Sequence, residues 1–257
     1  MAATSATDRV LRRRPKIIFV SRFLRTPWRS RSASRAVDRA SLATGVALVR
    51  ALAAFDAETA EHSATVALYA RDVALHLGAD GDSAAVIQLG ALVHDVGKLS
   101  LPVDLLLKAD PLDEAEWALM RAHPEAGARI LAGLPSSHTL LTIVRHHHER
   151  MDGAGYPAGL SGADIPAEAR IVGACDAYAS MTQPRPYRAS LTPAEAIEEL
   201  RRHADAQFDA EVVAALVWLL DEGDDDYRLA RSAPFSAEHQ HAELAERAEA
   251  PRHAAAS

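Results

Sequence analysis

The chain has 257 residues and a formal net charge of −7 at pH 7, to which the first 40 residues contribute +9 and the remainder −16. The acidic charge of residues 41–257 excludes a general nucleic-acid-binding protein, which needs a basic surface. The sequence contains no run of about 18 uncharged apolar residues, so it predicts no transmembrane helix. The single cysteine, Cys175, excludes an intramolecular disulfide and favours a cytoplasmic location.

The first 40 residues predict a basic, disordered tail. Arginine and serine recur there without sustained helical or strand periodicity, and chain termini are often unordered. A basic arm for a membrane surface or a nucleic acid is the alternative interpretation.

Residues 41–221 predict one all-α domain. Apolar positions recur every three or four residues from His62 to Leu77, as on one face of a helix, and Gly78 is placed to end that helix. Neither a strand pattern nor an internal repeat is apparent. Further helices are predicted near 82–93, 113–121, 124–133, 138–148, 167–180, 193–203 and 210–220, the penultimate one with Thr192 as N-cap before Pro193. Residues 222–257 are acidic and then rich in Ala, Glu and His without an apolar stripe, which predicts a second disordered tail.

Histidine and carboxylate residues form the chemical signal of this sequence. His94-Asp95 is predicted at the end of a helix, followed by Gly97 and Lys98. Adjacent helical side chains point in different directions, so the pair could reach two ions, and the two oxygens of Asp95 suit a bridging position. Alone, a His-Asp pair is more often a surface pair than a metal site.

Other positions add to this signal. Glu58 and His62 lie on one helical face, which suits two ligands of one cluster, although a core histidine beside a solvated glutamate is the favoured explanation of this pair taken alone. His123 begins a helix. Consecutive histidines, including His147 and His148, are costly to bury unless they coordinate or hydrogen-bond. A carboxylate in an apolar helix, Asp176, needs a partner.

Mixed imidazole and carboxylate ligands favour iron, manganese or zinc at a reactive site over a structural zinc cage. Two or more such ions together are a known solution for phosphoester hydrolysis, because they activate water and clamp the attacking and leaving oxygens.

In this order the residues resemble the HD-GYP family, a branch of the HD phosphohydrolases, over roughly residues 45–220. The matching motifs are Glu58-x-x-x-His62, His94-Asp95-x-Gly97-Lys98, His123-Pro124-x-x-Gly127, His147-His148-Glu149-Arg150-x-Asp152-Gly153-x-Gly155-Tyr156-Pro157, Asp176 and Arg185-Pro186-Tyr187-Arg188. The resemblance implies an HD-domain bundle of about seven helices around two or three divalent ions, with Fe or Mn preferred and Zn as an alternative. It implies that the metal ligands are Glu58, His62, His94, Asp95, His123, His147, His148 and Asp176.

The resemblance also implies substrate contacts. Lys98, Arg185 and Arg188 would hold phosphates, and Tyr156 would line the pocket; a solvated basic pair is the other interpretation of the two arginines. One departure stands out: where the family reads Asp-x-x-Asp-Ala-Leu, this chain keeps Asp176 but has Ala179 at the second aspartate. That change removes a polar group near the ligands or near the loop that bears Arg185.

The function that follows is hydrolysis of cyclic di-GMP to linear pGpG or GMP by a metal-bridged hydroxide, with Asp95 and Lys98 as the catalytic residues. Alternatives are a degenerate enzyme that senses cyclic di-GMP or docks a signalling partner, an HD phosphohydrolase for another cyclic dinucleotide or nucleotide phosphoester, and a di-iron oxygenase. Ala179 favours the sensor, whereas the intact ligand set favours an enzyme. The sequence predicts no specific DNA or RNA partner.

Overall fold

The structure is a computed structural model that describes residues 39–55, 57–106, 108, 110–133, 138–183 and 189–249. Within these residues the chain is helical and has no strand, only an isolated bridge between Ala204 and Phe208. The all-α prediction is confirmed. None of the described helices combines the length and apolar character needed to cross a membrane. Of the predicted N-terminal tail, residues 1–40, the first 38 lie outside the described residues, and the last two belong to the first helix.

The α-helices agree closely with the predicted segments between residues 57 and 222. They are α1 Arg39–Phe55, α2 Ala57–His76, α3 Gly81–Leu92, α4 Val103–Leu106, α5 Glu114–Met120, α6 His123–Leu131, α7 His138–His146, α8 Ala167–Thr182, α9 Pro193–Arg202, α10 Ala210–Glu222, α11 Asp225–Arg228 and α12 Ala237–Glu249. Short 3-10 turns cover Val96–Ser100, Gly162–Asp164 and Ala233–Phe235.

Local signals set these boundaries as expected. Gly78 has a φ of +94°, the left-handed conformation that ends a helix at low cost for glycine. Thr192 caps α9 by accepting from the amide of Glu195, whose carboxylate accepts from the amide of Thr192 in return. The predicted N-cap is therefore confirmed.

Helix α2 lies at the centre of the bundle. It packs against α1, α3, α8, α10 and α12, and almost every side chain between Ala60 and Ala74 is buried. Alanine occupies many of these positions, so neighbouring helices can approach closely. The N-terminal half of α2 carries His62 into the protein interior, while the C-terminal half carries Tyr69 and Asp72.

The C-terminal segment differs from the sequence prediction. Residues 222–249, expected to be part of a disordered tail, form α11, a 3-10 turn and α12, and α12 packs on α1 and α2. Three isolated apolar side chains, Tyr227, Phe235 and Leu244, are fully buried there. They are too widely spaced to give a helical stripe, and their partners are far away in sequence, so local periodicity could not reveal them. Residues 250–257 lie outside the described residues.

Candidate metal centre

Five helices or their ends bring the predicted ligands together. His62 comes from α2, His94 and Asp95 from the end of α3, His123 from the start of α6, His147 and His148 from the end of α7, and Asp176 from α8. Ligand atoms of Asp95, His123, His147 and His148 all lie within 4.8 Å of one another, and so do those of His62, His94 and Asp95. Asp95 belongs to both groups.

Backbone carbonyls orient three of these imidazoles. The Nδ1 atoms of His94, His123 and His147 donate to the carbonyl oxygens of Ala91, Met120 and Val144 at 2.6, 2.8 and 2.9 Å. Each acceptor lies three residues earlier, in the last turn of a helix, where carbonyls lack intrahelical partners. With the proton on Nδ1, each Nε2 presents a lone pair to the centre, the tautomer that binds metals through Nε2.

The Nε2 atoms lack hydrogen-bond donors. The buried Nε2 of His94 has no hydrogen-bond partner in the part of the chain that the structure describes, and the Nε2 atoms of His123 and His147 face each other at 3.4 Å. Two acceptors at that distance cannot hydrogen-bond with each other, and unpaired buried polar atoms are costly. A cation among them would satisfy all three, so the residues fit a metal centre.

Asp95 is placed to join the two groups. Its Oδ1 lies 3.2 Å from the Nε2 of His123, and its Oδ2 lies 3.4 Å from the Nε2 of His94 and 2.5 Å from the Nζ of Lys98. Burial alone would raise the pKa of this carboxyl, but Lys98, His94 and His123 outweigh burial and hold the pKa well below its usual value. Asp95 is therefore an ionised carboxylate with its two oxygens directed to different groups.

Three of the buried imidazoles are kept neutral. Burial lowers the pKa of His94, lowers that of His147 well below its usual value and lowers that of His148 to about 4. Neutral imidazole is the form that coordinates a metal.

His62 and Asp176 form the remaining side of the centre. The Nε2 of His62 lies 2.9 Å from Oδ1 of Asp176, and the hydroxyl of Ser180 donates to the same oxygen at 3.2 Å. Burial would raise the pKa of Asp176, but His62 holds it well below the usual range. Glu58, also predicted as a ligand, is exposed and belongs to neither group of ligand atoms, so a metal-binding role for Glu58 stays a prediction.

Two motif glycines allow close backbone contacts at this centre. A Cβ on Gly97 would overlap the carbonyl oxygen of His123 and lie 2.5 Å from the amide nitrogen of Gly127. A Cβ on Gly155 would lie 2.5 Å from the amide nitrogen of Arg150 and 2.6 Å from the carbonyl oxygen of His148. Only glycine fits these positions without moving the ligand-bearing backbone.

The loop after His148 is held by Glu149. This buried carboxylate accepts from the amide of Ala158 at 2.7 Å and from that of Leu160 at 3.0 Å. The loop thereby places the ring of Tyr156 on the imidazole of His148, with 4.8 Å between ring centroids. Tyr156 lines a cleft beside this loop, and its contact with a substrate stays a prediction.

A cleft of about 460 Å³ opens beside the centre. The residues that line it include three predicted metal ligands, His147, His148 and Asp176, and three arginines, Arg121, Arg150 and Arg170. Such an arrangement gives an anionic ligand access to the metal-facing groups.

The three arginines of the cleft differ in their partners. Arg150 pairs with Asp152 at 2.7 Å, and Arg170 pairs with Asp209. The guanidinium of Arg121 lies 5.9 Å from the ring centroids of both Trp117 and Tyr156, and no carboxylate among the described residues pairs with it. Sequence reasoning missed Arg121, whose only signal is its position two residues before His123.

Two predicted phosphate contacts, Arg185 and Arg188, lie outside the described residues. Lys98, the third, donates to Asp95 and retains partial exposure, with 27% of its side chain accessible.

Fold and site together define an all-helical protein with clustered His and Asp side chains that could hold metal ions. The family model described as HD domain matches residues 47–212, so the chain belongs to the HD domain family. The resemblance to its HD-GYP branch is also confirmed: the structure is similar to that of an HDG"Y"P protein of Bdellovibrio bacteriovorus, with a TM-score of 0.54 and 25% identity, over 65% of this chain and 53% of that one.

Two curated relatives are similar in sequence. The cyclic di-GMP phosphodiesterase response regulator RpfG of Xanthomonas campestris is 36% identical over 172 residues, or 66% of this chain and 46% of that protein. The 3'3'-cGAMP-specific phosphodiesterase 3 of Vibrio cholerae is 35% identical over 169 residues, or 66% of this chain and 37% of that protein. The chain thus spans less than half the length of either relative.

Proposed function

We propose that this chain is a metal-dependent phosphodiesterase that opens cyclic di-GMP. The observation that carries the proposal is the position of Asp95, shared by two buried groups of ligand atoms beside an arginine-lined cleft. Support also comes from the similar proteins, which are named for phosphodiesterase activity on cyclic di-GMP or 3'3'-cGAMP.

The metal-facing residues would hold two or three divalent ions, with Fe or Mn preferred and Zn as an alternative. Bound there, the ions would lower the pKa of water and polarise the phosphodiester. His62, His94, His123, His147, His148 and Asp176 would bind them through neutral imidazole or carboxylate groups, and Asp95 would bridge. Glu58 is the further candidate ligand.

The reaction consumes one water for each ring opened. Water adds to phosphorus, the bond from phosphorus to the ribose 3′ oxygen breaks, and that oxygen takes up a proton, which gives linear pGpG. A second cut of the same kind gives GMP. Lys98, beside Asp95, would offset the charge that develops on the non-bridging oxygens.

Substrate contacts would extend along the cleft. Arg121 is the cleft arginine without a carboxylate partner among the described residues, so it can bind a phosphate without first breaking an ion pair. Tyr156 would form the wall next to His148, and the resemblance adds Arg185 and Arg188. A nucleotide second messenger as substrate suits the cytoplasmic location that the sequence favours, and the similarity to a response regulator makes a signalling-protein partner reasonable.

A second candidate, 3'3'-cGAMP as the substrate, is favoured by the similarity to a protein specific for that dinucleotide. The two substrates differ in one base, guanine or adenine. None of the contacts described for the cleft distinguishes one purine from the other. A sensor without catalysis is the third candidate, favoured by Ala179 alone.

The test is product analysis with purified protein freed of metal and reloaded anaerobically with Mn²⁺ or Fe²⁺. Cyclic di-GMP, 3'3'-cGAMP and the small diester bis(p-nitrophenyl) phosphate are incubated separately, and products are resolved by chromatography. We expect metal-dependent formation of pGpG or GMP that Asp95→Asn lowers by roughly 1,000-fold, since metal charge stabilisation supplies several kcal/mol. Asp104→Asn, at an exposed aspartate, is the matched control.

Each other outcome has a definite meaning. Binding of metal and cyclic di-GMP without turnover would move the protein to the sensor class. Cleavage of bis(p-nitrophenyl) phosphate without cleavage of either cyclic dinucleotide would keep the metal-dependent hydrolase but reject the substrate.

A further inference from the structure

The imidazole of His62 is held differently from the other metal-facing histidines. His94, His123 and His147 donate from Nδ1 to carbonyls near helix ends. His62 lies inside α2, where the carbonyls of the preceding turn serve the helix itself. A side chain must therefore replace the backbone acceptor, and this acceptor is Oε1 of Gln183, at 2.8 Å from Nδ1 of His62.

A hydrogen-bond chain fixes which way Gln183 points. The hydroxyl of Thr65 donates to the carbonyl of Glu61 at 3.1 Å, so its oxygen is left as an acceptor. The Nε2 of Gln183 donates to that oxygen at 2.9 Å. The amide oxygen of Gln183 must then face His62, so Nδ1 of His62 carries a proton and donates to it, while the other ring nitrogen, Nε2, is turned towards Asp176 and donates to its carboxylate when no metal is bound.

This arrangement bears on Ala179, the position where the family has an aspartate. Ala179 is fully buried in the apolar core, so the polar contacts at this end of α8 come from its neighbours. Ser180 donates to Asp176 at 3.2 Å, and Gln183, one helical turn after Ala179, contacts His62. Between them they hold one imidazole and one carboxylate of the candidate centre.

We propose that Gln183, held in place by Thr65, is a positioning residue that keeps a proton on Nδ1 of His62 and fixes the orientation of its ring, so that Nε2 is the nitrogen available for metal binding. The proposal rests on the metal-binding part of the proposed function but not on the substrate. Outer hydrogen-bond partners of metal-binding histidines typically contribute 10- to 100-fold in metal affinity. Ala179 therefore leaves the centre competent, because the orienting contact comes from a different residue.

The experiment measures Mn²⁺ binding to metal-free protein by calorimetry. Gln183→Ala is expected to weaken binding roughly 10- to 100-fold, and Gln183→Glu, which keeps an acceptor for Nδ1, should stay within a few-fold of wild type. Thr65→Val removes the hydroxyl that orients Gln183 and should weaken binding by a smaller factor. The matched control is Thr182→Val, which removes a hydroxyl that also donates to a carbonyl four residues earlier, that of Tyr178.

Nitrogen-15 NMR of the His62 ring provides a second readout that a merely structural role would not change. Wild type should show a proton on Nδ1, and Gln183→Ala should shift the ring towards the other tautomer while the circular dichroism spectrum stays that of a folded protein. Wild-type Mn²⁺ affinity together with an unchanged tautomer in Gln183→Ala would overturn the proposal. Failure of the proposed function is distinct, because it would appear as absent turnover in the wild type with Mn²⁺ still bound.

Discussion

Helix α2 contributes to two buried polar regions that differ in how their polar atoms are paired. Towards its C-terminal end lies the tyrosine cluster, formed by Tyr69, Tyr178, Tyr227 and Phe235, whose rings meet edge to face with centroids 5.0–5.5 Å apart. Towards its N-terminal end lies the candidate metal centre with His62.

In the tyrosine cluster every hydroxyl has a protein acceptor. Tyr69 donates to the carbonyl of Tyr227 at 2.7 Å, Tyr178 to that of Arg228 at 3.0 Å, and Tyr227 to the carboxylate of Asp72 at 3.0 Å. At the metal centre, by contrast, imidazole nitrogens face one another as acceptors. A buried polar group paired within the protein serves the fold, whereas converging lone pairs without donors indicate a site for a ligand.

The largest expected difference between the two regions is in how their variants respond to added metal, measured as thermal stability. Mn²⁺ at 100 times its dissociation constant should stabilise the folded chain by about 2.7 kcal/mol and raise Tm by roughly 5–10 °C, as followed by differential scanning calorimetry. Asp95→Asn should lose most of that gain, while Tyr227→Phe should keep it in full. An equal gain in Asp95→Asn would contradict the assignment of the centre.

Removing one hydroxyl of the tyrosine cluster should act on stability alone. Tyr227→Phe removes a hydroxyl that donates to the carboxylate of buried Asp72, and the loss of this charge-assisted hydrogen bond should lower the free energy of unfolding by about 1–3 kcal/mol in urea denaturation. Mn²⁺ affinity should not change. Tyr178→Phe, which removes a donor to a backbone carbonyl, is the control and should cost less. Weaker metal binding in Tyr227→Phe would show that the regions are coupled.

The smallest expected effect concerns an arginine of the cleft, Arg121, rather than either buried polar region. Arg121→Ala should raise the KM for cyclic di-GMP roughly tenfold, about 1.4 kcal/mol, with little change in kcat, because a phosphate contact away from the reacting atoms is lost. Steady-state kinetics of this variant are compared with those of the control Arg129→Ala, which changes an exposed arginine of α6 outside the cleft lining. Hydrolysis of bis(p-nitrophenyl) phosphate, which lacks a second phosphate, should be unaffected; an equal loss on both substrates would reject this role.

The sequence predicted most of the fold because its helices are marked by local signals. Periodic apolar positions, Gly78 and the Thr192-Pro193 start fixed their bounds within about two residues. Residues 222–249 were missed since Tyr227, Phe235 and Leu244 are stabilised by contacts with distant helices rather than by a local pattern.

The candidate ligands could be predicted because histidine pairs and helix-end His-Asp steps are chemically unusual. Their grouping could not, because it depends on which helix ends meet in space. Arg121 carried no signal beyond its position before His123, and Gln183 carried none, because an exposed arginine and a glutamine after a helix are common. Only the hydrogen bonds at 2.8 and 2.9 Å reveal what Gln183 contacts.

The two hydrogen bonds that the Glu149 carboxylate accepts also constrain the length of the loop that follows it. Its two oxygens accept from the amides of Ala158 and Leu160, nine and eleven residues further along the chain. Gly155, which lies against the backbone of His148, belongs to the same segment. One inserted or deleted residue between 150 and 157 would offer the carboxylate the wrong amides. Among natural variants of this chain, we therefore expect Gly155 and the number of residues in the loop to stay constant, while exposed side chains of the loop can vary.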